Sequence, residues 1–129
     1  MPASEEGELL LNLCPDRGCR VQISEVERQG RELQLTFDAN FAPDLARNHF
    51  HVFWDNFSAE QVSSDAEARF GVRQGDWSET DENPFVTKGA TLVAARGDAM
   101  IICVVAADLN HRVIDPQLAD CFDVGELVL

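Results

Sequence analysis

The chain lacks any hydrophobic run long enough to cross a bilayer as a helix. Its longest apolar stretch runs from Ala99 to Ala107, and Leu9-Leu10-Leu11 is shorter still, against the ~20 apolar residues such a span needs. This argues against membrane insertion. Lysine is nearly absent: Lys88 stands alone beside nine arginines. Either a GC-rich genome or a surface suited to high salt, where screening relieves self-repulsion, accounts for that skew. Positive charge is scarce overall, with 10 basic against 23 acidic residues and a net charge of −13. A field of that sign repels phosphate backbones and anionic lipid, which excludes nucleic acid as an expected partner.

Familiar catalytic signatures are missing as well. There is no Gly-x-Ser-x-Gly, no glycine-rich phosphate loop and no His-Glu-x-x-His. Cys-x-x-Cys is absent, and Cys103 lies inside an apolar run, where a thiol is a poor nucleophile. Paired acids such as Asp81-Glu82 read as solvated loop in so acidic a chain. The balance leans away from an enzyme. Met1 to Glu6 does not show the basic-then-apolar order of a signal peptide. Two readings follow: a cytoplasmic protein, or an extracellular or periplasmic one whose export segment has been removed.

No repeat and no low-complexity linker divides the 129 residues. Residues 1–8 are polar and read as a disordered tail, leaving 9–129 as one domain. Hydrophobic residues make up 45 % of the chain, enough for an ordinary core. Short apolar segments alternate with turn chemistry. Glu8 to Cys14 reads as a first strand. Arg20 to Arg28 follows, with Val21 and Ile23 on one face and Val26 out of step, which predicts a bulge. After Gln29-Gly30, Leu33, Leu35 and Phe37 alternate strictly with polar neighbours, the strongest hairpin signal present.

His49 to Asp55 reads as a strand. Ser58-Ala59-Glu60-Gln61 has capping-box chemistry, so one short helix is placed near 59–69. Gly71 to Asn83 reads as loop, with Trp77 capping the core. Phe85-Val86-Thr87 and Thr91 to Ala95 read as further strands, and Phe122 to Leu129 as a further strand or an extended tail. Ala99 to Ala107, nearly all apolar, is expected to be a central strand buried on both faces. The fold class is therefore all-β, an antiparallel β-sandwich.

The cysteines, Cys14, Cys19, Cys103 and Cys121, admit three pairings. The local one joins Cys14 to Cys19 across a Pro/Gly turn and Cys103 to Cys121 across about 18 residues, a loop whose closure contributes about 3 kcal/mol. Free thiols and a zinc knuckle built on Cys14 and Cys19 compete with it. Disulfides imply an oxidising compartment.

The one constellation suggesting chemistry is His49-Phe50-His51-Val52-Phe53-Trp54-Asp55. On a strand, His49, His51 and Asp55 project from one face, and imidazoles spaced i, i+2 can both reach a divalent metal such as zinc or copper. His111, the remaining histidine, is a candidate third ligand.

That run, followed by Pro84-Phe85, Gly89-Ala90, Cys103-Val104-Val105-Ala106, His111 and Cys121, resembles small bacterial exported β-sandwich domains of unknown function. The likeness spans about residues 20–124 and rests on scattered positions. It implies an immunoglobulin-like sandwich, export, a Cys103–Cys121 bridge and no catalytic residues. Three functions are then in play. One is a non-enzymatic envelope module that binds a protein or small ligand. Another is a metal-binding module using the His-x-His strand. The last is a cytoplasmic small enzyme or regulatory domain with reduced cysteines.

Overall fold

The computed structural model describes residues 13–15, 18–64, 69–72, 76–87 and 96–128. The strict alternation after Gly30 does form the second arm of a hairpin. Strand β1 (Val21–Gln29) pairs antiparallel with β2 (Glu32–Ala39), and Gly30 makes the turn at φ +63°. The register shifts between Ile23 and Glu25, a bulge that turns Val26 back toward the core opposite Leu35. Ile23 donates its amide to Asp120 Oδ2 at 2.9 Å, so the bulged strand is tied to the opposite sheet.

Two antiparallel sheets result. One runs β1-β2-β5, with β5 reduced to Phe85–Val86. The other runs β4-β3-β6-β7, where β3 is His49–Trp54, β4 Ser78–Thr80, β6 Ile101–Ala107 and β7 Asp120–Asp123. Phe50, Val52 and Trp54 of β3 face inward with Ile102, Val104 and Ala106 of β6. They pack on Leu33, Leu35 and Phe37 of β2 to form the main core.

The outer face of the four-stranded sheet is buried too. Phe53, Cys103 and Val105 lie under Val62, Val72 and Trp77, which belong to the excursions that leave β3 and return at β4. Every residue of β3 is consequently buried, as are Ile102 to Ala107 of β6. Burial on both faces is the expected reading of so apolar a run as β6, and each large side chain so covered contributes about 1.5–3 kcal/mol. Trp77 caps this outer layer at 3 % exposure.

Both local cysteine pairs are disulfides, Cys14–Cys19 and Cys103–Cys121, and no free cysteine remains. Cys103 and Cys121 face each other directly across β6 and β7, so the bridge fastens an edge strand to the centre of its sheet. The free-thiol and zinc-knuckle readings are thereby set aside.

Several expectations change. Ser58 and Gln61 form the capping box, but the turn it starts is a 3-10 turn, Ala59–Gln61, and 62–64 are not helical. Arg69 and Phe70 are α-helical, and residues 65–68 of the helix placed at 59–69 lie outside the described residues. The segment 71–83, read as loop, contains β4, whose three residues are too few to show a period. The terminal strand is β7, Asp120–Asp123, and the chain then turns into an α-helical turn at Gly125–Val128 rather than staying extended. Leu13 and Cys14 are not in a strand, and the rest of Glu8–Cys14, the tail 1–8 and the strand at 91–95 lie outside the described residues. No helix among the described residues is long and apolar enough to cross a membrane.

Candidate metal centre

Because side chains alternate along β3, His49 and His51 share its outer face with Phe53. Both rings are 0 % exposed. The pairing of β3 with β4 sets Glu79 directly opposite His51, so its carboxylate rises on the same face. His111 arrives from the turn after β6. There Asp108 accepts the amide of His111 through its carbonyl and those of Asn110 and Arg112 through Oδ1. His111 adopts φ +60°, and no other described non-glycine residue has a positive φ. That conformation is unfavourable for a side chain larger than glycine's, and here it delivers the ring to the sheet.

One ligand atom from each of His49, His51, Glu79 and His111 lies within 4.8 Å of all the others. His49 Nε2 is 3.1 Å from His51 Nε2 and 3.1 Å from His111 Nδ1, and His111 Nδ1 contacts Glu79 Oε2 at 2.5 Å. Two donors about 2.0–2.1 Å from a tetrahedral metal stand about 3.4 Å apart. The two edges at His49 Nε2, 3.1 Å each, are within a few tenths of an ångström of that spacing, whereas the His111–Glu79 edge is shorter by about 0.9 Å and would open on coordination.

The tautomers follow from the partners. His51 Nδ1 lies 2.6 Å from the Val62 carbonyl and His49 Nδ1 lies 2.9 Å from the Arg47 carbonyl. A carbonyl only accepts, so each Nδ1 carries the hydrogen and donates. In the neutral rings both Nε2 atoms then present lone pairs to each other. Among the described residues, His49 Nε2 is the sole polar atom within hydrogen-bond reach of His51 Nε2. Protonation is a poor remedy. Burial pushes the His51 pKa down to about 3 against the opposing pull of the Val62 carbonyl, and burial lowers that of His49 too. A ring that donates Nδ1–H to a backbone carbonyl and turns Nε2 inward is the usual posture of a metal-ligating histidine.

Trp77 stacks on His51 with centroids 4.2 Å apart and planes 24° from parallel, fixing that ring from the other side. His111 and Glu79 are the outward part of the group, with side chains 37 % and 28 % exposed, so an ion would enter past them. With every cysteine oxidised, the donors are imidazole and carboxylate only, a set suited to zinc or copper(II) rather than to thiolate-seeking ions.

Of the residues singled out from sequence, His49, His51 and His111 converge. Asp55 does not; it lies in the exposed turn after β3, beyond the last residue of the strand. Glu79 is the carboxylate that joins the group instead, and only the β3–β4 register reveals it. The chain matches no protein-family model, no curated protein and no solved structure. The likeness to exported sandwich domains therefore rests on the residues alone.

Proposed function

We propose that this chain is a non-enzymatic, metal-binding module of the cell exterior that holds one zinc or copper(II) ion through His49 Nε2, His51 Nε2, His111 Nδ1 and the Glu79 carboxylate. The observation carrying this reading is the pair of buried Nε2 lone pairs 3.1 Å apart, each fixed by a carbonyl at the opposite nitrogen. A dication between them removes the repulsion and answers all four donors at once. The ion would also clamp the turn bearing His111 onto β3 and β4, so that occupancy is felt by the whole outer layer.

The strand order supports an immunoglobulin-type sandwich: a three-stranded β1-β2-β5 sheet faces a β4-β3-β6-β7 sheet, with a buried tryptophan, Trp54, on the third strand. The two disulfides support an oxidising, extracytoplasmic setting. Three imidazoles and a carboxylate around one point suit capture or display of the ion, or of a partner through it.

Calorimetric titration of metal-stripped protein with zinc sulfate and with copper(II) sulfate tests the reading. One equivalent should bind at micromolar or tighter affinity, and His111→Ala and Glu79→Gln should each weaken it. Absence of saturable heat with both ions, or unchanged affinity in both variants, refutes it.

A further inference from the structure

At the opposite end of β3 from the histidines lies a second site of different chemistry. Trp54 closes that strand, about 17 Å along it from His49 at ~3.3 Å per residue, and points into the sandwich rather than out of it. There the two sheets leave a cavity of about 190 Å³. Its apolar lining is Leu33, Trp54 and Leu127, and its polar lining includes Arg28, Arg31 and Arg96.

The arginines are the unexpected part. The chain has 10 basic residues against 23 acidic ones, yet three of the ten gather at one cavity. Among the described residues none of the three is in an ion pair. Arg28 Nε donates to the Gly30 carbonyl at 3.0 Å, which anchors it at the β1–β2 turn. Arg96 lies over the Trp54 indole, 5.8 Å from its centroid. Its Nε is buried with no hydrogen-bond partner among the described residues. A buried donor on a charged group without an acceptor is costly, and a ligand oxygen would supply one. Glu32, the acid of the lining, is already engaged: its Oε2 accepts from Thr87 Oγ1 at 2.6 Å. Three guanidiniums against one carboxylate leave the cavity positive within a negative protein, so it concentrates small anions that the rest of the surface repels.

We infer that this end of the sandwich binds a small organic carboxylate, with the carboxylate held by Arg96 and Arg31 and an apolar body seated on Trp54, Leu33 and Leu127. Guanidinium geometry matches a carboxylate edge-on. The cavity falls below the ~300–1,000 Å³ of drug-sized pockets, which limits the occupant to about one ring. Aromatic lining under the arginines selects a ligand with an apolar face over a bare inorganic anion.

The test is a titration of the full chain with benzoate, followed by nuclear magnetic resonance of the arginine Nε–H signals, with inorganic phosphate as the contrasting probe. Benzoate should saturate, moving the Arg96 signal most, with millimolar or tighter affinity. Arg96→Gln should weaken binding about tenfold or more, the loss of one charged hydrogen bond. Arg31→Gln, at an exposed turn position where folding is not at risk, should weaken it in the same direction. Benzoate binding should persist in His111→Ala, which keeps this site separate from the metal group. Failure of benzoate to saturate, unchanged affinity in both arginine variants, or equal or tighter binding of phosphate overturns the inference.

Discussion

Replacing His111 by glycine separates the fold's need for that residue from the metal's. His111 sits at φ +60°, where a side chain costs about 1 kcal/mol relative to glycine. Its ring meets His49 Nε2 at 3.1 Å and contacts Glu79 Oε2. Being 37 % exposed, that interaction is worth about 1 kcal/mol. The two effects oppose each other. Metal-free His111→Gly should therefore unfold in urea within about 1 kcal/mol of the parent. Zinc affinity should fall at least a hundredfold, about 2.7 kcal/mol, because one of the coordinating atoms is gone. Urea denaturation in chelator measures the first quantity and calorimetry the second. A loss of more than about 3 kcal/mol in the metal-free protein would mean that the ring is a packing residue, and unchanged zinc affinity would remove it from the ligand set.

Zinc at about 100 times its dissociation constant should stabilise the parent by about 2.7 kcal/mol, raising the melting temperature by about 10 °C for a chain of this size; a melting curve insensitive to zinc and chelator contradicts the proposed site. The metal-free protein should lose stability on acidification. The unfolded His51 ring titrates near 6.5 while the folded one is held at about 3. Above pH ~6.5 both states are neutral; below it the unfolded chain takes up a proton that the folded ring refuses. Stability then falls by about 1.4 kcal/mol per pH unit toward pH 3, and His49, also lowered, adds in the same sense. Urea midpoints in chelator that stay constant between pH 7 and 5 would contradict this burial. Replacing Cys103 and Cys121 together by alanine should cost about 3 kcal/mol, from the chain entropy of the loop they close, and a midpoint within error of the parent would show that the β6–β7 pairing alone suffices.

Much of this architecture was legible because alternation is a local signal. Leu33, Leu35 and Phe37 define the inward face of β2, and the misplaced Val26 announces the bulge at Ile23/Glu25. The apolar run ending at Ala107 announces a strand buried on both sides. The two strand histidines were visible for the same reason, since period two puts them on one face. What escaped was set by contacts distant in sequence. β4 has three residues, too few to show a period, so Glu79 was hidden until its pairing with His51 placed it. Asp55 continues the alternation on paper, but the strand ends at Trp54 and the chain turns away. The capping box at Ser58 and Gln61 was a true signal of a turn start. It does not specify length: the 3-10 turn it starts stops at Gln61, and the α-helical residues Arg69 and Phe70 come only later.

The position of the histidines is itself an argument about function. The outer face of β3 carries Phe53, and filling the whole face with similar residues would be the stable choice under so complete a cover. Two buried imidazoles there give up the hydration of their Nε2 atoms, which costs about 1–3 kcal/mol for each one left unanswered. Nearby, His111 takes a backbone conformation that suits glycine better. These departures from local stability meet within one group of atoms spanning 4.8 Å. Hydrogen bonding cannot reconcile them. With Nδ1 of His49 and His51 committed to carbonyls, His111 Nδ1 faces both His49 Nε2 and the Glu79 carboxylate with a single hydrogen, and among the described residues no donor reaches His51 Nε2. A proton shared by the strand pair would occupy a place where burial already disfavours charge. A dication uses the lone pairs already present on both Nε2 atoms and on the Glu79 carboxylate, and His111 Nδ1 supplies a fourth once its hydrogen moves to Nε2; the acidic chain attracts such an ion. A fold that breaks its own rules in one place generally does so where it acts.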